Sequence, residues 1–274
     1  MKIITLIENN VDKNPNLICE FGFSTFIKDD DFSLIFDTGQ TGIFTENIKK
    51  LNIDTNLIHN IIISHNHFDH GGGLKKYIDS FGNNFSLTVN KTFFSKRFGL
   101  EKQYSRLLSA PFSEKYLEKN NIKINFINDH IHKISKNITA FTNFKSINNF
   151  ESPNLTYVKK ENNKIIFDNM NDEVVLGLDT KKGFFLLCGC SHFGIINIIE
   201  NVKLLSGKKV KGVIGGLHLS KVSEERIKKV IQYLQKENIE YLAISHCTGE
   251  KIIELLKNTK CNYIKNNTGT ILEL

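Results

Sequence analysis

Four side chains that commonly bind metals fall within six consecutive positions of this chain: His65, His67, Asp69 and His70. The apolar run at 61–63 comes just before them, and its three isoleucines are typical of a buried strand. Three glycines at 71–73 then favour a loop, and residues 74–81 have the composition of a helix. The cluster is therefore predicted at the carboxyl end of a strand, where α/β folds bind ligands. Grouped imidazoles and carboxylates suit zinc or another first-row divalent metal.

Three later segments repeat this arrangement. Apolar runs end shortly before His192, His218 and His246. Predicted strands and helices alternate on both sides of a less regular middle region, which indicates an α/β fold with helices covering the sheets. The carboxyl ends of parallel strands meet at one edge of a sheet, so the four histidine-bearing strand ends are expected to converge.

Length and composition narrow the class of protein. With 274 residues, 40% of them hydrophobic, the chain is expected to form a single domain over 1–274. The first apolar run is soon interrupted by Glu8 and is too short for a signal peptide, and no run is long enough to cross a membrane. Five cysteines without framework spacing argue against a disulfide-built secreted fold. A cytoplasmic location without a membrane partner is expected.

Charge gives no indication of a macromolecular partner. The formal net charge is +7, but the lysines are scattered among acidic residues and form no basic tract. This distribution argues against a nucleic-acid partner. The sequence gives no indication of the oligomeric state.

Several motifs together resemble a known family. They are GFS at 22–24, FDTGQTGIF at 36–44, SHNHFDHGGGL at 64–74, GCSHFGIINII at 189–199, GGLHL at 215–219 and SHCTG at 245–249. The chain resembles the metallo-β-lactamase superfamily, and within it the dihydropteroate-synthase-like branch that includes archaeal methanopterin-pathway synthases. The resemblance implies an αββα sandwich with the metal site at the shared rim of its two sheets.

The resemblance also implies a ligand set for two divalent metal ions. One ion would be bound by His65, His67 and His192, and the other by Asp69, His70 and His246. Zinc is the expected metal, with iron, manganese and nickel as alternatives.

The candidate catalytic residues are Asp69, His218 and Asp37. Asp37 would orient an imidazole or its loop, although capping the turn at Thr38 is an equally good interpretation. His218 would be a ligand, a proton donor to the leaving group or a hydrogen-bonded residue of the rim.

Some expected features of the family have no clear counterpart in this chain. Neither the bridging aspartate of many relatives nor their GH-T-x-G histidine has an obvious match. Cys190 and Cys247 each neighbour a candidate ligand, and buried packing is the favoured interpretation for both, with coordination as the alternative. His130 and His132 are best explained as polar residues at a strand edge.

Three functions are compatible with these residues. The first is a metal-dependent hydrolase that acts on a small, anionic substrate through a metal-activated water. The second is a pterin-type transferase or synthase that releases pyrophosphate. The third is a non-catalytic, metal-binding sensor module.

A segment near 90–122 is expected to form an irregular, lid-like insertion. Within it, cations alternate with aromatic residues: Lys91, Phe93, Phe94, Lys96, Arg97, Phe98, Lys102, Tyr104 and Arg106. Such a mixture would suit an anionic or phosphorylated substrate that carries a ring. An amphipathic helix with its phenylalanines in the core explains the pattern equally well.

Overall fold

The computed structural model describes residues 1–100, 105–256, 259 and 261–274. Its helices are α1 (Phe44–Lys50), α2 (Phe68–Gly71), α3 (Leu74–Phe81), α4 (Glu114–Lys119), α5 (Ile195–Ser206), α6 (Glu224–Lys236) and α7 (Glu250–Leu256). Its strands are β1 (Lys2–Ile7), β2 (Ser24–Asp29), β3 (Phe32–Phe36), β4 (Ile58–Ile62), β5 (Ser86–Asn90), β6 (Lys96–Leu100), β7 (Ser105–Leu107), β8 (Lys123–Ile127), β9 (Ile131–Lys133), β10 (Ile138–Phe141), β11 (Tyr157–Glu161), β12 (Lys164–Phe167), β13 (Val175–Thr180), β14 (Gly183–Cys188), β15 (Val210–Gly215), β16 (Tyr241–Ile244), β17 (Asn262–Lys265) and β18 (Ile271–Glu273).

Two large sheets form the centre of the described part of the molecule. The first has the strand order β18-β1-β2-β3-β4-β5-β8, and the second has the order β17-β16-β15-β14-β13-β10-β9. In each sheet, one half is antiparallel and the other half is parallel. The parallel strands place their carboxyl ends at one edge, which is where the candidate ligands are expected.

The apolar residues divide into three layers that hold the sheets and helices together. Along β3, Leu34 and Phe36 belong to the core between the two sheets, while Ile35 belongs to the core under α1, α3 and α4. This alternation follows from the two-residue period of a strand. A third core packs α5, α6 and α7 on the outer face of the second sheet. The layers are helix, sheet, sheet and helix, so the predicted αββα sandwich is confirmed.

The segment near 90–122 contains regular structure in its described residues. Strands β6 and β7 join β11 and β12 in a four-stranded antiparallel sheet with the order β12-β11-β6-β7, and α4 follows. The expectation of an irregular segment therefore does not hold for these residues, and neither does the alternative of an amphipathic helix. Lys102 and Tyr104 lie outside the described residues. The assignment of 1–274 to a single domain stays a prediction.

Two further sequence expectations concern elements outside the rim. His132 lies in β9, an edge strand of the second sheet, and His130 directly precedes that strand. Neither belongs to a metal-binding cluster among the described residues. Of the helices described, none has the length and apolar character needed to cross a membrane.

Candidate metal centre

The four histidine-bearing strand ends converge at one rim of the sandwich. His65 follows β4, and His192, His218 and His246 follow the parallel strands β14, β15 and β16. The ring centroid of His192 lies 4.7 Å from that of His65 and 4.1 Å from that of His218. The centroid of His246 lies 5.2 Å from that of His70. The folding of two sequence halves thus assembles one cluster.

One part of the cluster contains three buried imidazoles. Nε2 of His65 lies 3.1 Å from Nδ1 of His67, and the ring of His192 packs 4.8 Å from that of His67. Nε2 of His67 and both ring nitrogens of His192 are buried without a hydrogen-bond partner. Buried polar atoms are normally satisfied, so these unpaired nitrogens fit a bound metal ion.

A second part contains the remaining predicted ligands. Oδ2 of Asp69 lies 3.1 Å from Nε2 of His246 and 3.8 Å from Nε2 of His70. All three side chains are buried. One carboxylate between two imidazoles is a ligand combination that zinc accepts, so this group also fits a metal ion.

Cys190 is a member of the cluster that the sequence interpretation assigned to packing. Its Sγ lies 3.1 Å from Nε2 of His70. It belongs to a group with His65 and His192 and to another with His70 and His246, each with ligand atoms within 4.8 Å of one another. Burial raises the pKa of this thiol well above its ordinary value, so a bound metal would have to displace its proton.

Asp37 and Ser64 fix the orientation of two imidazoles. Oδ2 of Asp37 lies 2.6 Å from Nδ1 of His70, and Oδ1 accepts a hydrogen bond from the Ser64 N–H at 2.7 Å. The Ser64 hydroxyl lies 2.8 Å from Nδ1 of His65. In both rings the bonded Nδ1 leaves Nε2 directed into the cluster. Asp37 therefore has the contacts of a group that orients ligands.

Gly189 allows the end of β14 to approach this network closely. A Cβ atom at this position would lie 2.2 Å from the Ser64 hydroxyl oxygen and 3.0 Å from Oδ2 of Asp37. No side chain fits without displacing these groups, so the glycine contributes to the proximity of the two halves.

Three residues that hydrogen-bond to the candidate ligands are not indicated by any sequence motif. Oδ1 of Asn9 lies 3.0 Å from Nδ1 of His246, and the Glu8 carboxylate accepts a hydrogen bond from the His246 N–H at 2.6 Å. The Glu173 carboxylate accepts one from the His192 N–H at 2.7 Å. Glu8 and Asn9 follow the apolar strand β1, so polar residues at the end of a predicted strand are the sequence pattern that could have indicated them. Glu173 lies in no comparable sequence pattern.

The protonation states of three histidines of the cluster suit metal binding. Burial and the neighbouring histidines hold the pKa values of His65 and His192 well below the ordinary value, and burial lowers that of His67 to about 3. These rings are therefore neutral at pH 7, which is the form that binds metals. His70 differs: burial lowers its pKa, but Asp37 and Asp69 outweigh burial and raise it to about 9, so a bound metal would have to displace a proton from this ring. Burial opposes ionisation of Asp69, but the adjacent His70 and His246 outweigh it and lower the pKa of its carboxyl.

The cluster forms the floor of an open cleft of about 950 Å³. His67, Asp69, His192 and His246 contribute to the floor, and His218 and Tyr157 lie beside it. One wall comes from the four-stranded sheet and another from the start of α6. The volume lies at the upper end of the range for small-molecule sites, about 300–1,000 Å³.

The prediction that Arg97 contacts a substrate is wrong. The guanidinium is buried, with Nε 2.7 Å from Asp168 Oδ2 and Nη2 2.9 Å from Asp172 Oδ1. Nη1 donates to the carbonyls of Phe93 and Ser95. Arg97 is thus held by the protein itself and has no access to the cleft.

Other cations of the same segment are distributed differently. Arg106 lines the large cleft, and its guanidinium carbon lies 5.5 Å from the ring centroid of Phe68. Lys96 lines a separate cleft of about 480 Å³. Only part of the segment therefore faces the candidate metal centre.

Comparisons with known proteins identify the family of the chain. The family model of the metallo-beta-lactamase superfamily matches residues 17–139. The chain is 30% identical to the 7,8-dihydropterin-6-methyl-4-(beta-D-ribofuranosyl)-aminobenzene-5'-phosphate synthase of Methanocaldococcus jannaschii, with 100% of this chain and 96% of that protein covered. It is 29% identical to an uncharacterized protein of the same organism, with 97% and 98% covered.

Solved structures give the same result. Tm1679, a metal-dependent hydrolase of the beta-lactamase superfamily, superposes with a TM-score of 0.86 at 27% identity, covering 100% of this chain and 99% of that one. The metallo-beta-lactamase fold protein YhfI of Bacillus subtilis shares the fold, with a TM-score of 0.62 at 10% identity and coverage of 100% and 98%. The chain therefore belongs to the metallo-beta-lactamase superfamily, in the branch that contains the M. jannaschii synthase.

Proposed function

We propose that the protein is a metal-dependent hydrolase of a small, anionic substrate that binds in the cleft. The observation that carries the proposal is the set of unpaired imidazole nitrogens of His67 and His192, buried beside the Asp69 carboxylate at the floor of an open cleft. Such a combination serves no evident packing purpose, because each unpaired buried group costs free energy in the absence of a ligand.

The side chains divide into two ligand groups. His65, His67 and His192 would hold one ion, and Asp69, His70 and His246 would hold the other. Cys190 is within reach of both groups. Two divalent ions bound there, zinc in the first instance, would supply Lewis acidity to a substrate oxygen and a water activated for attack.

The remaining side chains act on orientation and proton transfer. Asp37 and Ser64 hold His70 and His65 in one rotational state, which fixes the direction of each free nitrogen. His218 lines the cleft beside His192, and its Nδ1 is buried without a partner. This position supports a role for His218 as the proton donor to the leaving group.

A second candidate function is a synthase reaction in which a pterin-type substrate is transferred to an arylamine and pyrophosphate is released. Two observations favour it. The identity of 30% to the M. jannaschii synthase extends over the whole chain. The cleft of about 950 Å³ is also large enough to receive two ring-bearing molecules together.

A chelator-controlled assay separates these functions. The protein, with its metal content measured, is given a phosphodiester reporter, and separately a dihydropterin pyrophosphate with and without an arylamine acceptor. Turnover of the reporter or of the pyrophosphate in water supports the hydrolase, whereas product formation that requires the arylamine supports the synthase. His65→Ala should abolish either activity, while His59→Ala, at an exposed position of β4, should leave it unchanged. Metal binding without any turnover would support a sensor module instead.

A further inference from the structure

One wall of the cleft carries positive charges that take no part in the candidate metal centre. Lys221, Arg226 and Lys229 line the cleft where the chain enters α6. The ring of Phe150 lies on the same side, with Lys229 Nζ 4.9 Å from its centroid. This wall therefore combines cations with an aromatic surface.

The acidic residues of this helix are already paired with lysines, one of which is Lys229 of the wall. Glu225 Oε1 lies 2.7 Å from Lys229 Nζ. The Glu224 carboxylate is shared by Lys228 at 3.0 Å and Lys251 at 2.8 Å. In the part of the chain that the structure describes, neither Lys221 nor Arg226 forms an ion pair with a carboxylate. Two positive charges at the cleft thus remain without a carboxylate in a direct ion pair, among the described residues.

The guanidinium of Arg226 is only partly satisfied by the protein. Nη1 donates to the Ser152 carbonyl at 3.4 Å, and Nε is buried without a partner. The Glu151 carboxylate attracts Arg226 electrostatically, but its oxygens accept hydrogen bonds from the backbone N–H groups of Ile196 and Asn197. Since arginine has five N–H donors in a planar fork, donors remain for an anion in the cleft.

The cationic wall is within reach of a substrate that contacts the metal ligands. Lys221 lies three residues after His218, whose ring centroid is 4.1 Å from that of His192. Three residues span at most about 11 Å. Tyr157 also lines the cleft, with its ring centroid 5.6 Å from that of His192 and 6.5 Å from that of His218. A small molecule can therefore reach the floor with one group and the wall with another.

We infer that Lys221 and Arg226 bind a phosphate monoester on the substrate, separate from the group that reacts at the cleft floor. The inference rests on the proposed function for the reacting end and specifies the substrate class: a ring-bearing molecule with a terminal phosphate. Charge-assisted hydrogen bonds from arginine and lysine recognise phosphate, and Phe150 and Tyr157 provide rings for stacking.

The test measures binding by calorimetry on the metal-loaded protein. The probes are benzylphosphonate, which has a ring and no hydrolysable ester, and benzyl alcohol, its neutral counterpart. The variants are Lys221→Gln, Arg226→Gln and the double variant, with Lys228→Gln as the control because Lys228 is an exposed cation of the same helix that does not line the cleft. The double variant should bind benzylphosphonate roughly ten- to a hundredfold more weakly, as the loss of charged hydrogen bonds implies. The control should bind it as the wild type does.

Two results would overturn the inference. One is equal binding of both probes by the wild type. The other is an affinity for benzylphosphonate that survives the double change and disappears in His65→Ala, because the anion would then lie on the metals. Lys221 is exposed, so Lys221→Gln keeps the test valid even if Arg226→Gln lowers stability. The binding measurement does not depend on turnover. Anion binding through this wall in a protein that turns over no substrate would contradict the proposed function and leave this inference standing.

Discussion

At the scale of single residues, the candidate centre depends on side chains outside the metal-binding signature. The signature indicates His65 and His70 because their spacing and strand-end position are visible in the sequence. Asn9 is 237 positions from the imidazole that it contacts, on His246. No local pattern shows such a pairing, because it arises only when the two halves pack together. The convergence of the candidate ligands was therefore predictable, and most of their hydrogen-bond partners were not.

Asp37→Asn tests whether the orienting contact matters for metal binding. The amide keeps the size of the side chain but replaces a carboxylate that lies 2.6 Å from His70 Nδ1. Loss of such an orienting group typically costs about 10–100-fold in metal affinity, and we expect a loss of this size in a zinc titration. Asp79→Asn, at an exposed position of α3, is the control. Unchanged affinity would mean that Asp37 only stabilises the turn that follows β3.

Cys190→Ser tests whether the thiol is a ligand. Because Sγ is 3.1 Å from His70 Nε2, we expect the variant to bind less metal than the wild type. In the cobalt-substituted protein, the thiolate-to-metal charge-transfer band should also disappear. Cys188→Ser is a matched control, since Cys188 is buried two residues earlier and belongs to no ligand group in the described structure. Full metal content in Cys190→Ser would restore the packing interpretation.

At the scale of elements, the strands of the two large sheets were predictable and those of the small sheet were not. The isoleucines of β4 form an apolar run, and their burial follows directly from it. By contrast, β6 pairs with β11 across about 60 positions, and β7 is a three-residue strand with every residue exposed. A mixture of cations and aromatic residues does not show the alternation of apolar and polar positions that is typical of a strand. The sequence therefore predicts an irregular, lid-like insertion. The partners of Arg97 lie in this distant part of the chain, which explains the wrong assignment.

Arg97→Ala tests the structural role of this buried cation. The change leaves the carboxylates of Asp168 and Asp172 without their common partner. Breaking a buried ion pair by removing one partner costs about 3–5 kcal/mol, and we expect this loss in the free energy of unfolding from a urea titration. Lys96→Ala removes an exposed neighbour of the same charge and should change it by less than about 0.5 kcal/mol. Equal effects of the two changes would contradict the assignment.

The pH dependence of stability in the acidic range provides a separate test of the buried ion pairs of Arg97. Burial raises the pKa of Asp172 to about 6, although Arg97 opposes the shift. The folded state therefore holds a proton that the unfolded state releases, so this group stabilises the fold at low pH. Its contribution is lost as the pH rises from about 4 to about 6, by about 1.4 kcal/mol per unit. Asp172→Asn should lack this component of the pH dependence of unfolding. If the free energy of unfolding depended on pH in the same way in the variant and in the wild type, the raised pKa assigned to Asp172 would be refuted.

At the scale of the whole molecule, the two large sheets have the same arrangement of strands. Each has an antiparallel half and a parallel half, and the packing of the two places polar strand ends at a common rim above an apolar interior. The alternation of strands and helices predicts an α/β fold with helices covering the sheets, and the family resemblance implies the αββα sandwich. The shape of the cleft was not predictable, because it depends on how the small sheet and the start of α6 project from the sandwich. The cationic wall, which lies at the start of α6, was not predictable for the same reason.

Removal of the metals should lower stability without unfolding the protein. The core between the sheets and those under the helices are apolar and contain none of the candidate histidine or aspartate ligands. Without metal, Asp37 and His70 still form a close pair at 2.6 Å. Metal at a hundredfold excess over its dissociation constant stabilises a protein by about 2.7 kcal/mol, so chelation should lower Tm by roughly 5–10 °C. Circular dichroism should show the same folded spectrum before and after chelation, one cooperative transition in each state, and recovery of Tm when zinc is added back. A chelated protein without a cooperative transition would show instead that the metals hold the two halves together.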